Sequence, residues 1–191
     1  MKAMYGRLGL TILSAAVLMT AVPQLASAAS EVFTATATVK TADGKSGSAP
    51  VTVTIDRTMP ASEAAPLVAA FKSGGAAALR KALVGVKPTG SVQVGKGKVT
   101  PTRFTIEREV GGGRLLTIVT DKPLVFIGAT KAGAKPKAGY DFAVIDLQVD
   151  ASGSGGGTIA PAATLKLNGD ALVVEDYSGE VVRLSAVKKG S

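Results

Sequence analysis

The chain of 191 residues contains no histidine, no cysteine and no tryptophan, and only 4% of its residues are aromatic. These absences exclude the mechanisms that need an imidazole or a thiol: Ser-His-Asp and Cys-His catalysis, zinc bound by these side chains, haem and iron–sulfur ligation, and disulfide exchange. Carboxylates, amines, hydroxyls and the backbone are the groups left for chemistry. We therefore expect neither a cofactor nor a metal site, and the sequence alone does not define an activity.

The first 28 residues have the pattern of a secretory signal peptide. Two cationic residues precede an apolar run at 8–22, which is too short for a membrane-spanning helix, and Ala26-Ser27-Ala28 is a small-x-small cleavage motif. We predict cleavage between Ala28 and Ala29, the alternative being an uncleaved N-terminal anchor. The predicted product is an exported protein, periplasmic or secreted, with no transmembrane segment after cleavage.

Residues 29–191 are predicted to form a single β-rich domain. The formal net charge is +8, and the signal segment accounts for only two of the cationic residues and for no acidic one, so the remaining domain has a net charge of +6. A domain of this size buries roughly 70% of the surface that its unfolded chain exposes. Its core must therefore supply the stability that disulfides give to many smaller secreted proteins.

Apolar residues recur with period two through most of this domain, which is typical of β-strands whose two faces differ in burial. Residues 32–40 and 51–57 are predicted to pair as an opening hairpin. Glycine-rich connections such as 111–113 and 152–157 favour an antiparallel meander that closes into a barrel or folds into a two-sheet sandwich. The later strands are predicted at 91–99, 102–110, 114–120, 124–128, 141–150, 158–167, 171–177 and 180–187.

One helical segment, packed on the sheet, is predicted at about 62–84. Ser62 can cap its first turn, and apolar residues spaced four apart, such as Leu67 and Phe71, give it one buried side. Gly74 and Gly75 interrupt the pattern, since two adjacent glycines cost about 2 kcal/mol relative to alanine in a helix interior. We expect a kinked helix or two short helices, with the glycine pair in an exposed bend.

Two charged residues break otherwise apolar strand faces. Arg108 shares a side with Phe104 and Ile106, and Asp146 shares one with Val144. If both faces of the Asp146 strand are covered, this carboxylate needs a partner, and Arg108 is the natural one. We predict Arg108 and Asp146 as ligand-binding residues. The alternative is that either residue lies at a strand end or on an open face.

Two carboxylates at a suitable distance suffice for glycoside hydrolysis without histidine. Against this use, Glu107 and Glu109 alternate with apolar residues in the pattern of a solvated strand face, and aromatic platforms for sugars are scarce. We therefore do not expect an enzyme, and a carboxylate-based hydrolase is only our third hypothesis, after the two hypotheses given below. Its candidate acids are Glu107, Glu109, Asp146, Glu175 and Asp176.

The glycine-rich segment 153–158 resembles two kinds of binding loop but completes neither. It lacks the lysine of a phosphate-binding loop, and a calcium loop starting at Asp150 would place Pro161 where a bidentate glutamate is needed. We interpret the segment as a flexible turn.

The connection 129–139 carries Lys131, Lys135 and Lys137 without an apolar anchor. We interpret it as a long solvated loop. The functional alternative is a contact for anionic surfaces, such as an acidic polysaccharide or lipid headgroups. We do not expect a nucleic acid among the partners.

Several segments together resemble a group of exported bacterial proteins of unknown function. The resemblance extends back to the helical residues 75–83 and implies a bacterial secreted protein, but no activity, substrate or catalytic residue. It is carried by Thr120-Asp121-Lys122-Pro123, Tyr140-Asp141-Phe142, Val144-Ile145-Asp146-Leu147, Val174-Glu175-Asp176-Tyr177 and Val182-Arg183-Leu184.

Two functional hypotheses follow from the sequence. The first is a non-enzymatic exported β domain that binds a small apolar or amphipathic ligand, or an anionic component of the cell envelope. The second is a structural or protein-interaction module of the envelope, with sheet edges or loops as its contact surface. A wide apolar cavity would favour the first over the second.

Overall fold

The computed structural model describes residues 30–40, 46–124, 139–168, 171–176 and 182–190. None of the helical residues in these ranges forms a segment long and apolar enough to span a membrane. The described elements are β1 (Glu31–Lys40), β2 (Ser46–Ile55), α1 (Ala61–Val84), β3 (Gly90–Val94), β4 (Thr100–Val110), β5 (Gly113–Thr120), β6 (Phe142–Asp150), β7 (Ser154–Asn168), β8 (Ala171–Asp176) and β9 (Val182–Lys189).

Eight of these strands close into an antiparallel barrel. The order around the barrel is β1, β2, β3, β4, β5, β6, β7 and β9, and β9 pairs back onto β1. β7 has 15 residues: its first half lies between β6 and β9, and its second half pairs with β8. The predicted antiparallel barrel is confirmed, and the sandwich alternative is excluded.

Side chains fill the barrel interior. The largest of them are 0–1% exposed and come from β1, β5, β6 and β7: Phe33, Leu116, Ile118, Ile145, Leu147 and Ile159. An eight-stranded barrel is just wide enough to be filled in this way. The interior is therefore a packed core.

A second apolar cluster lies between the outer face of the barrel and α1. Leu67, Phe71 and Leu83 of the helix pack there against Phe142 and Val144 of β6, among other residues. Part of β6 is therefore covered on both faces, which explains why residues 142–145 are continuously apolar.

The same two-sided covering applies to β4, and it changes our interpretation of that strand. Phe104 and Ile106 point outward beneath α1, whereas Thr105, on the opposite face, is fully buried in the interior. The face that carries Glu107 and Glu109 is therefore the inner face, which reaches solvent only at the end of the barrel.

The helix begins at Ala61, with Pro60 as its N-cap residue and no side-chain cap. The predicted cap by Ser62 is therefore wrong. The first turn is fixed instead by Arg57, whose guanidinium donates hydrogen bonds of 2.6 and 2.8 Å to the carboxylate of Glu63. The predicted kink is confirmed, because exposed Gly75 has φ 64° and ψ −157° inside the helix.

Replacing Gly75 by alanine should lower the free energy of unfolding by about 1–3 kcal/mol, because this backbone region is almost restricted to glycine. Gly85 offers a matched control: its φ is −82°, and a Cβ there would lie 3.8 Å from its nearest neighbour. Gly85→Ala should be neutral or slightly stabilising. Urea denaturation followed by circular dichroism measures both variants, and equal effects would contradict the kink.

The glycine-rich segment is mostly strand, which corrects the flexible turn predicted for 153–158 and the connection predicted for 152–157. The turn covers only 151–153, and β7 begins at Ser154. A Cβ at Gly155 or Gly157 would overlap with a carbonyl oxygen of β6, so the two strands meet more closely than side chains allow. Glycine at these two positions allows β6 and β7 to pack closely against each other.

Candidate functional site

A groove of about 610 Å³ lies on the outside of the barrel, next to the part covered by α1. Its volume is within the range typical of small-molecule sites. We call it the outer groove; it is lined by residues 110–113, 115, 146, 148–150 and 154–158.

Strand register brings the side chains of the groove together. Leu115 of β5 lies opposite Gln148 of β6, which lies opposite Gly156 of β7. The neighbouring row contains Asp146 and Thr158. Because the residues between these positions point into the core, all of these point outward. Gly156 has no side chain to fill the space, so the glycine segment leaves a depression along β7.

Asp146 is half-buried on the floor of the outer groove. The hydroxyl of Thr117, directly opposite on β5, donates a 2.6 Å hydrogen bond to Oδ1 of Asp146. No partner of Oδ2 lies among the described residues. One carboxylate oxygen is therefore held in place while the other is available to a ligand.

Arg108 is exposed on the same outer face and lies directly opposite Leu115. It does not pair with Asp146, whose partner is Thr117. β5 lies between β4 and β6, so Arg108 and Asp146 are two strands apart. Arg108 is in the row of Gln148, two residues along β6 from Asp146. Arg108 and Asp146 therefore lie on the same outer face of the sheet, but not within contact distance of each other.

Asp150 lies at the end of the outer groove and organises the turn between β6 and β7. Its Oδ1 accepts hydrogen bonds of 2.6 Å from the Ser152 hydroxyl and of 2.8 and 3.0 Å from the backbone N–H groups of Ser152 and Ser154. The Ser152 hydroxyl bond is the largest cause of a pKa below the usual value for Asp150. The charged side chains that line the groove, Asp146 and Asp150, are both acidic.

A separate ionic cluster lies at the end of the barrel, on the other side of the 111–113 turn. Arg114 of β5 donates hydrogen bonds of 2.7 and 2.9 Å to Glu31 of β1, and Lys189 donates one of 2.5 Å to the same carboxylate. Arg114 also contacts Glu107 at 3.3 Å. We call these four residues the mouth network, because they join opposite walls of the barrel at its end.

Burial raises the pKa of Glu31, but hydrogen bonds and positive charge from Lys189 and Arg114 outweigh it, so that the pKa lies below 4.5. The guanidinium of Arg114 lies 5.7 Å from the ring centre of Phe33, the outermost of the large core residues on β1. The network therefore covers this end of the core. It borders an open cleft of about 640 Å³ that Glu109 also lines.

A carboxylate pair for glycoside hydrolysis needs one acid with a raised pKa to protonate the leaving group. In the cleft, the pKa values of Glu31 and Asp150 lie below their usual range, so neither of these two carboxyl groups is suited to act as that acid. The side chains of Glu175 and Asp176 lie outside the described part of the structure. Within that part, no three acidic side chains are grouped closely enough to hold a metal ion.

The predicted anionic-surface contact lies outside the described residues, because Lys131, Lys135 and Lys137 fall between 124 and 139. Of the other lysines, Lys96 and Lys98 are exposed in the connection between β3 and β4. The contact with anionic surfaces stays a prediction.

Comparisons of the chain with protein-family models, with curated proteins and with solved structures found no match. The resemblance to exported bacterial proteins therefore stays a prediction.

Sequence reasoning identified Asp146 but missed the residues around it. Gln148 and Thr158 are ordinary outward polar positions in an alternating pattern, and only strand register shows that they converge. Glu31 and Arg114 are 83 residues apart in sequence and meet only because the barrel closes.

Proposed function

We propose that this protein is an exported, non-enzymatic β-barrel that binds a small amphipathic ligand with a cationic head in the outer groove. The observation that carries the proposal is the half-buried carboxylate of Asp146, with one oxygen fixed by Thr117 and the other directed to no described partner. An ammonium head could bind this oxygen through a charge-assisted hydrogen bond.

The composition of the groove supports an amphipathic ligand rather than a purely polar one. Val110 and Leu115 offer apolar contact on one wall, and Gln148 and Thr158 add hydrogen-bonding groups beside the carboxylate. A few polar groups in a largely apolar depression are typical of small-molecule sites.

The filled interior supports binding on the outside of the barrel. A ligand inside would have to displace side chains such as Phe33 and Leu147, which are at most 1% exposed. Opening that much space in a close-packed core would cost several kcal/mol. For export, the support is the signal-peptide pattern of residues 1–28.

Three probes with the same tail and different heads test this proposal: hexylammonium, hexyl glucoside and hexanoate, each titrated calorimetrically. We expect hexylammonium to bind most tightly, because the charged groups of the groove are acidic. Asp146→Asn should weaken hexylammonium about tenfold, as expected for loss of a charged hydrogen bond, and leave the glucoside nearly unchanged.

The matched control is Asp141→Asn, which removes the same charge from a side chain paired with Arg80. Asp141 does not line the groove, so this variant should bind all three probes like the parent protein. Equal affinity for the three heads, or tighter binding of hexanoate, would contradict the proposal.

A further inference from the structure

Three connections between strands share the end of the barrel opposite the mouth network. Neighbouring strands run antiparallel, so β1 ends at this end and β2 begins there, and the same holds for β3 with β4 and for β5 with β6. We call it the far end. The connections 41–45, 95–99 and 121–141 therefore begin and end at the far end, and their residues determine its chemistry.

The described part of these connections carries exposed lysines. Lys96 and Lys98 are exposed in the turn between β3 and β4, and Lys122 is exposed directly after β5. β4 and β5 are neighbours, with Thr102 opposite Thr120, so both groups of lysines leave adjacent strands. No ion pair of the three lysines lies among the described residues. Their charges are therefore available to an external anion.

The acidic residues beside these lysines are paired with arginines. Asp121 accepts a hydrogen bond of 3.2 Å from Nε of Arg103, and Asp141 accepts one of 2.8 Å from Arg80. Asp121 and Asp141 are the only acidic residues in the described part of the three connections. An anionic partner therefore meets cations there without an unpaired carboxylate among the described residues.

The turn 95–99 is fixed to the barrel. The backbone N–H of Gly95 donates a hydrogen bond of 2.7 Å to the carbonyl oxygen of Pro50 on β2. The backbone N–H of Gly97 donates one of 2.9 Å to the carbonyl oxygen of Val94. Because this backbone is already ordered, association with a partner costs little further conformational entropy at the turn.

An exposed valine distinguishes the far end from a purely ionic surface. Val99 is 59% exposed and directly follows Lys98. Next to cations, an apolar side chain can enter the boundary between lipid headgroups and acyl chains, whereas a polysaccharide offers it no apolar environment. Each lysine near an anionic bilayer strengthens binding about fivefold. The combination of lysines and valine therefore favours a lipid surface over a polysaccharide.

We propose that the far end is a contact surface for an anionic lipid bilayer. Lys96, Lys98 and Lys122 bind headgroup phosphates, and Val99 enters the apolar boundary beneath them. The outer groove is lined by the turn 111–113 at the opposite end of the barrel, so its opening faces away from the bilayer contact. The inference concerns a second surface and does not depend on the ligand proposed for the groove.

Cosedimentation of the exported protein with vesicles tests the lysines. We expect binding to vesicles of phosphatidylglycerol and phosphatidylcholine in equal parts, and much weaker binding to phosphatidylcholine alone. Replacing Lys96 and Lys98 together by glutamine should weaken binding to the anionic vesicles about twentyfold. The matched control replaces Arg108 and Lys188, two exposed cations toward the other end of the barrel, by glutamine. It removes the same charge and should bind like the parent.

Val99→Thr tests whether the partner is a lipid. It should weaken binding to the anionic vesicles about three- to tenfold, because a hydroxyl replaces a buried methyl group. Binding to alginate, an acidic polysaccharide, should be the same as for the parent. Val84→Thr is the control, because it makes the same change at a 63% exposed valine at the end of α1. It should change neither binding.

Three results would overturn the inference. The first is a parent protein that does not bind the anionic vesicles. The second is an equal loss of binding in the two double variants, which would mean that net charge alone attracts the protein. The third is unchanged vesicle binding of Val99→Thr, which would mean that the far end binds anions without entering the bilayer. The binding of hexylammonium in the outer groove is measured separately, so the proposed function stands or falls independently.

Discussion

Gly155→Ala is expected to lower the free energy of unfolding by about 3 kcal/mol, the upper end of the range for an added methyl group that the surrounding structure cannot accommodate. The added Cβ would overlap with the carbonyl oxygen of Gln148 on β6. A Cβ added at Gly157 would overlap in the same way with the carbonyl oxygen of Asp146. Backbone atoms cannot rotate away as side chains do, so β6 and β7 would have to separate where they close the barrel.

Gly156→Ala is the control for this prediction, since a Cβ there would lie 3.4 Å from its nearest neighbour and the residue points outward. Its effect on stability should be small. Urea denaturation followed by circular dichroism measures both variants, because the chain has no tryptophan to report by fluorescence. If Gly155→Ala costs no more than Gly156→Ala, the close approach of β6 and β7 does not exist.

Glu31→Gln is expected to destabilise the protein by about 2 kcal/mol at neutral pH, because it removes the acceptor shared by two cations. The side chains of Glu31 and Arg114 are only 22% and 25% exposed, so solvent replaces the lost bonds poorly. Glu109→Gln removes the same charge from another carboxylate of the same cleft. No ion pair of Glu109 lies among the described residues. That control should change stability little.

The contribution of Glu31 should also depend on pH in a defined direction. Because its pKa is lower in the folded protein than the ordinary value of 4.5, the stabilisation is complete at neutral pH and is lost as the pH falls through the folded-state pKa. The difference in unfolding free energy between the parent and Glu31→Gln should therefore shrink below about pH 4.5. A difference that stays constant down to pH 3 would contradict the ionic role of the mouth network.

The features of the fold that the sequence predicted are those determined by local patterns. The alternation at 32–40 and 51–57 predicted a hairpin that the structure confirms, and two adjacent glycines predicted the kink at Gly75. The prediction of a turn for the segment 155–157 was wrong because the role of these glycines depends on contacts between distant parts of the chain. Local propensity favours a turn for three glycines, but the close strand contact that requires them arises only in the closed barrel.

The candidate site was predictable to a similar degree. A carboxylate on a largely apolar strand identified Asp146. Its partner could not be predicted, because that depends on which residue of β5 lies opposite, and register is set by the closed sheet. Thr117 therefore took the place that the sequence alone suggested for Arg108.

The most direct test of the account is to locate bound hexylammonium by titration, with the backbone amides of the protein observed by nuclear magnetic resonance. We predict shifts confined to the outer groove, above all at Leu115, Gly156 and Thr158, with the core unchanged. Shifts centred on interior residues such as Phe33 and Leu147 would instead mean that the ligand enters the barrel, and would contradict a filled barrel that binds on its outer face.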